Sequence, residues 1–404
     1  MKSEWHKVPL RKLVGYISKG IAPIYSEKST DTTISVLNQK CNRNFQISYT
    51  EARLHNMAQK KVPAERLIRK DDILINSTGT GTAGRVAQIR SVPCQTTVDG
   101  HMIILRANEK VMQRYLGYAI KAHQSEILQL DEGSTGQTEL NRERLLDEIM
   151  ICYPESIIVQ EKIVTIFESI DQKIAVNKKI NDNLLEQAST LFNSAIQQST
   201  SVVYAELGSL AEVKGGKRLP KGVNLVTTPN QHPYIRVRDL NNTVFVSLSK
   251  DYEYVDDETQ QSISRYIVST GDLLISIVGT IGLTAIVDHT LNKANLTENC
   301  VKLTNIKNVT PEYLLLFLRS LQGVEAISKG TVGAVQLKLP IKNIQSITVP
   351  LLCDEELQPL QETLSAIFSQ ISANIVEMKQ LADIRDTLLP KLMSGELDVS
   401  SLNL

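Results

Sequence analysis

The chain is written twice. Asp72-Ile73-Leu74-Ile75 followed by Gly79-Thr80 reappears as Asp272-Leu273-Leu274-Ile275 followed by Gly279-Thr280. Tyr115-Leu116 returns as Tyr313-Leu314, and Ser134-Thr135-Gly136 with Leu140 returns as Gly330-Thr331-Val332-Gly333 with Leu337. Ile166-Phe167 and Ile170 are matched by Ile367-Phe368 and Ile371. A repeat this long is a duplicated domain, because solenoid units have periods of roughly 20–50 residues. Two similar globules, each running into a helical segment, suit the reading of a two-part target better than a single reaction.

The repeat divides the chain into a first globule at 1–155, a long helix at 156–199, a second globule at 200–353, and a second long helix with a tail at 354–404. Within the globules, short β-rich runs at 73–75, 86–89, 102–105 and 149–152 alternate with Gly, Thr, Ser and Asn turns, as do 273–277, 283–287, 301–303 and 344–349. Short helices are predicted at 114–122 and 311–320, the second opened by Pro311. Ile163, Ile166, Ile170 and Ile174 share one helical face, continued by Leu184, Ala188, Leu191 and Ala195. Nothing in 156–198 is Gly or Pro, so a helix of about 40 residues, roughly 60 Å long, is expected. Leu364, Ile367, Ile371, Met378, Leu381 and Leu388 mark a second helix from 354 to about 389, with Pro390 and Ser394-Gly395 as stop signals and Pro359 leaving its start open. Two such helices pack antiparallel as an internal coiled coil. Asn177 and Asn374 lie on or near the stripes, either as a solvated edge or as a polar contact fixing register. The expected fold class is α+β: two mixed α/β globules with two long antiparallel helices between them.

A hydrophobic fraction of 42% indicates a folded chain. No apolar run approaches the roughly 20 residues of a membrane span, and the start lacks a signal peptide's apolar stretch, so a cytoplasmic location with no membrane partner is expected. Five scattered cysteines without a Cys-x-x-Cys pair argue against a disulfide framework or a zinc site. Formal net charge is zero, which argues against a protein that coats nucleic acid indiscriminately. Charge is nevertheless segregated. Residues 213–238 hold Lys214, Lys217, Arg218, Lys221, Arg236 and Arg238 without one acid, and Lys7, Arg11, Lys12 and Lys19 lie in another acid-free stretch.

Gly79-Thr80-Gly81-Thr82-Ala83-Gly84 matches Gly-x-Gly-x-x-Gly, but a dinucleotide site needs a helix next, and Arg85-Val86-Ala87-Gln88-Ile89 alternates like a strand. The loop reads as a Gly/Thr hairpin present in both copies, either a plain tight turn or a cradle for phosphate. No Gly-Lys-Ser/Thr phosphate loop occurs, the six histidines are isolated, and Asp99-Gly100-His101 reads as a polar turn. No catalytic constellation emerges, so a non-enzymatic chain without its own metal or cofactor is expected. Candidate DNA contacts are Ser77, Thr78, Thr80, Thr82 and Arg85 in one hairpin and Thr280 in the other. The small polar loops add Ser134, Thr135, Gln137, Thr331 and Gln336, and the basic stretches add Lys19, Lys214, Lys217, Arg218, Lys221, Arg236 and Arg238. Arg and Gln are the side chains best shaped for guanine and adenine edges. The rival readings are a free-standing nucleotide-binding enzyme and a coiled-coil adaptor.

Over its whole length the chain resembles the specificity subunit of type I restriction-modification systems. The resemblance rests on the duplicated Asp-Ile/Leu-Leu-Ile…Gly-Thr core, the Pro-ended strand before each helix, and Val159-Gln160-Glu161-Lys162-Ile163 at the first helix entry. Most specific is Leu388-Leu389-Pro390-Lys391-Leu392-Met393-Ser394-Gly395-Glu396-Leu397. It implies two target-recognition domains, each reading half of a bipartite, asymmetric sequence in double-stranded DNA. The helices would set the spacing and dock two methyltransferase subunits, with two restriction subunits completing the complex. S-adenosylmethionine and ATP with magnesium would then bind those partners.

Overall fold

The computed structural model describes residues 4–132, 138–333 and 336–402. Two compact units emerge, Met1–Ala175 with Lys379–Leu404, and Val176–Met378, so the division falls inside both long helices.

The repeated Asp-Ile/Leu-Leu-Ile phrase forms the middle of the main sheet in each unit. In the first, Val14–Lys19, Met102–Ala107, Ile73–Asn76 and Val86–Gln88 lie side by side, all antiparallel. In the second the order is Glu212–Gly215, Cys300–Thr304, Leu273–Ser276, Thr284–Val287 and Phe245–Val246, with the last pair parallel. Side chains alternate faces along a strand, and this run is apolar throughout because both faces are covered. Ile73 and Ile75 enter a core with Tyr115, Leu116, Tyr118 and Phe167, while Leu74 joins Leu37, Val98, Met102 and Ile104 on the opposite face. Leu273 and Ile275 repeat the first arrangement against Tyr313 and Phe368, and Leu274 repeats the second against Leu296 and Cys300.

The aspartate that opens the phrase is buried in both units. Asp72 accepts from Arg106 Nε and Nη2, each at 2.7 Å, and from the Arg69 backbone N–H at 2.8 Å. Asp272 faces Lys302 at 3.4 Å and accepts the Ser269 N–H at 2.8 Å. The motif therefore repeats a charge anchor as well as an apolar strand.

Helices occupy Ile157–Gln198 and Asp354–Met393. In the second unit Asn177 Nδ2 donates to Glu377 at 2.6 Å, Asn374 Nδ2 to Asn181 Oδ1 at 2.7 Å, and Ser199 Oγ to Glu356 at 2.6 Å, a descending pairing that makes the helices antiparallel. Asn177 and Asn374 are buried, so the polar-contact reading holds and the solvated-edge reading does not. In the first unit Asp171 pairs with Arg385 at 2.9 Å, and Leu389, Leu392, Met393 and Val399 complete the core built on residues 10–167.

Two expectations are corrected, and the open start of the second helix is settled. Pro390 does not end the second helix. The helix continues to Met393 because Leu392 and Met393 are buried there, and Ser394 N–H bonds Pro390 O at 3.0 Å before Gly395 turns away at φ 78. Pro359 does not displace the helix start, because Asp354, Glu355 and Glu356 favour the first turn electrostatically and the Cys353 carbonyl accepts from Leu357 N–H at 2.8 Å. The predicted strand at 344–349 is split into helix Ile341–Gln345 and strand Thr348–Leu351, a short apolar run being compatible with either state.

Lys121 is half-buried, its amine enclosed 4.4 Å from the Phe45 ring and without a hydrogen-bond acceptor among the described residues. Burial lowers its pKa to about 8, and nearby Arg385 adds to the effect. The folded chain sheds this proton near pH 8 and the unfolded chain near the usual 10.5, so the unfolded state binds more protons between those values. The site's contribution to stability is smallest below pH 8 and grows up to about 10.5. Lys121→Met is expected to raise the melting temperature at pH 7 and to flatten that rise, as read by thermal unfolding at several pH values.

Candidate nucleic-acid interface

In each unit the strand carrying the repeated phrase turns through a Gly/Thr hairpin. Gly79 (φ 116) and Gly279 (φ 79) take a backbone region that side-chain-bearing residues rarely enter. Both hairpins run into strands, so no helix N-terminus is present to hold a pyrophosphate. Residues following the expected small polar loops bond to the hairpin segments. Gly79 N–H donates to Thr138 O at 3.1 Å in the first unit, and Leu339 N–H donates to Ile277 O at 3.0 Å in the second.

A second loop follows a parallel strand pair in each unit. Strand Thr33–Leu37 pairs in parallel with Thr96–Val98 and leads into the turn Gln39–Cys41. Strand Tyr234–Ile235 pairs in parallel with Asn295–Leu296 and leads into the turn Val237–Leu240. In the first unit the buried Asn76 and Asn42 tie turn to hairpin: Asn76 Nδ2 donates to Gln39 O at 3.2 Å, and Asn42 Nδ2 to Arg85 O at 2.9 Å. A cavity of about 430 Å³ opens there, lined by Tyr25, Gln39, Glu51, Arg53, Asp99 and His101 among others. His101 Nδ1 meets Thr78 Oγ1 at 2.7 Å. Asp99 forms the expected polar turn, accepting the His101 N–H at 2.9 Å, and burial pushes its carboxyl above the usual range.

The sequence candidates separate into two groups. Thr80 and Thr280 are exposed at the hairpin tips, Gln336 is exposed, and Lys221 is exposed without an ion-pair partner among the described residues. Lys217 is exposed with its amine 5.4 Å from the Tyr266 ring. Gly216, just before it, packs so close to Thr297 O that an added Cβ would sit 2.0 Å away, which explains that glycine in this basic run.

Ser77 is corrected, while Thr82 and Thr331 are half-buried with their hydroxyls turned to their own loops. Ser77 is fully buried, with its carbonyl accepting Leu140 N–H at 2.7 Å. Thr82 Oγ1 donates to Gly79 O at 3.2 Å, and Thr331 Oγ1 to Ile327 O at 2.8 Å. These hydroxyls hold their own loops. Arg85 does the same through Gly81 O at 3.1 Å. Ser134, Thr135 and Gln137 lie outside the described residues.

The basic stretches also meet acids that lie outside them. Lys19 pairs with Glu139, Lys214 with Glu212 at 2.5 Å, and Arg218 with Glu298 at 3.0 Å. Arg236 and Arg238 converge on Glu253, which is only 23% exposed. Exposed pairs such as Arg218–Glu298 are worth about 0–1 kcal/mol, so a phosphate can displace the acid. Glu253 holds the other two more firmly, and burial lowers the Arg236 pKa. Among the described residues no group of three or more His, Cys, Asp or Glu could hold a metal ion, and no helix is long and apolar enough to cross a membrane.

Comparison with known proteins gives this geometry a context. The model of the type I restriction modification DNA specificity domain matches residues 2–186 and again 201–385. The chain is 24% identical over 382 residues to the type I restriction enzyme MjaIX specificity subunit of Methanocaldococcus jannaschii, covering 89% of this chain and 85% of that one. It is 23% identical over 314 residues to the HindI specificity subunit of Haemophilus influenzae, covering 59% and 67%. The crystal structure of the type I restriction-modification S subunit from M. genitalium shares the fold, with a TM-score of 0.52 at 17% identity, covering 97% of this chain and 96% of that one. Two copies of the family domain, each presenting a hairpin and turn on a doubly covered sheet, make the chain a member of the type I restriction-modification DNA specificity family, a specificity subunit with two target-recognition domains.

Proposed function

We propose that residues 1–155 and 200–353 each read one half of an asymmetric, bipartite sequence in double-stranded DNA. The segments 156–199 and 354–404 set the spacing between the half-sites and dock two methyltransferase subunits, with two restriction subunits joining the full complex in the cytoplasm. The chain itself carries no chemistry. S-adenosylmethionine, ATP and magnesium act on the partner subunits.

The observation that carries this reading is that the two units repeat one framework and differ in the side chains displayed on it. After the parallel strand, the first unit presents Asn38, Gln39 and Lys40, and the second presents Arg236, Val237 and Arg238. Conserved framework with divergent display is what two different half-sites require. Phosphate contacts from Lys217, Arg218, Lys221 and the hairpin tips supply affinity and register, and base-edge contacts supply specificity.

Co-expression with the neighbouring methyltransferase subunit, followed by mapping of methylated bases in host DNA, tests the proposal. A bipartite motif with a fixed gap and unlike halves is expected. Failure of the methyltransferase subunit to co-purify would overturn it.

A further inference from the structure

The first unit holds a groove that no sequence motif pointed to. Arg53 opens the strand Arg53–Asn56, which pairs with both Thr33–Leu37 and Tyr25–Ser26. Tyr25 lies opposite His55, so Arg53 is its diagonal neighbour on the same face. The guanidinium lies 3.4 Å from the centre of the Tyr25 ring, a stacking distance. Unlike Arg218, Arg236 and Arg238, Arg53 makes no ion pair among the described residues, and it is exposed. A planar group is therefore held in one orientation against Tyr25, with no carboxylate paired to it among the described residues. The groove beside it is continuous with the hairpin, because His101 lines it and also binds Thr78.

Two functions compete for an arginine so placed. A phosphate contact needs charge but not a fixed plane, and a lysine serves it as well. Reading guanine is served best by two parallel donors presented in one plane, toward N7 and O6, a fork that lysine lacks. The tyrosine platform fixes the plane. Glu51, on the same rim, supplies an acceptor of the kind that the amino group of the paired cytosine requires. Donor fork and acceptor together match the major-groove edge of a G·C pair.

We propose that Arg53, stacked on Tyr25 at the mouth of this groove, reads a guanine in the half-site bound by the first target-recognition domain. This rests on the half-site reading above and adds one residue and one base to it. Among the described residues the second unit has no arginine stacked on a tyrosine; its one such cation contact is Lys217 with Tyr266. Arg53 therefore accounts for a base in one half of the target only.

The test uses the complex of this chain with its methyltransferase subunit and a pool of duplexes randomised across both half-sites. Binding selection is run on the wild type, Arg53→Ala and Arg53→Lys. Wild type is expected to show a guanine in one half-site that both variants stop selecting, with discrimination at that position falling by about 5- to 150-fold. The other half-site should be selected unchanged, which shows that each variant is folded and assembled; if Arg53→Ala fails to assemble, Arg53→Lys decides. Retention of every preference by Arg53→Lys, with or without a uniform loss of affinity in Arg53→Ala, would make Arg53 a phosphate contact and overturn the proposal. A wild-type complex with no preference in either half would instead refute the half-site reading itself.

Discussion

Replacing Arg106 by alanine is expected to destabilise the first unit by about 3–5 kcal/mol, because the change strands a buried carboxylate. Asp72 is 3% exposed, and Arg106 supplies two of its hydrogen bonds in a parallel fork. Arg106 also closes the loop before the strand, donating to Glu65 O at 2.7 Å and Leu67 O at 2.9 Å, and its guanidinium lies 4.9 Å from the Tyr16 ring. Asp72→Asn should cost less, since an uncharged amide can still accept the Arg69 N–H. Urea unfolding of the two variants side by side checks the order. Equal, small losses would mean that water reaches Asp72.

Leu392→Ala is expected to cost the same unit about 2–5 kcal/mol, the usual range for emptying a buried leucine site. Leu392 is 2% exposed in a core whose other members include Leu10, Tyr115 and Phe167. The loss should appear in the first unit alone, because Leu392 belongs to it and Val176–Met378 has a core of its own. Limited proteolysis should therefore cut within the first globule while sparing residues from the second. Simultaneous loss of protection in both would show that the units unfold as one.

Much of the fold was legible because it rests on period and punctuation. Ile163, Phe167, Leu364 and Phe368 follow helical spacing, and Gly79 and Gly279 mark turns whose φ values demand glycine. Helix against strand at 341–351 was not legible, since Ile341, Ile344, Ile347 and Val349 satisfy neither period cleanly. The interface was less legible still. Lys19, Arg218 and Arg238 looked unopposed because acid-free stretches were measured along the chain, whereas Glu139, Glu298 and Glu253 reach them through the fold. Ser77 and Thr82 share composition with Thr80, but only Thr80 is exposed at the hairpin tip; the difference is burial, which composition does not encode. Arg53 carried no signal at all. Its partner Tyr25 and its neighbour His101 lie on other strands, and nothing in the spacing of 25, 53 and 101 marks them as a group. The recurrence of Asp72 as Asp272 was legible, but not that it marks an anchor that tolerates either Arg106 or Lys302 as its cation.

The shared core of residues 10–167 and 389–399 has a consequence for biosynthesis. Domains usually fold in the order in which they leave the ribosome. Here the strands of the first globule emerge early, yet Leu389, Leu392, Met393 and Val399, which seal them, are made only after the whole of Val176–Met378. At roughly 5–20 residues per second, the nascent first globule waits on the order of ten seconds or more with an apolar face uncovered. The unit translated first is the one completed second, and during that interval it is the natural client of a chaperone.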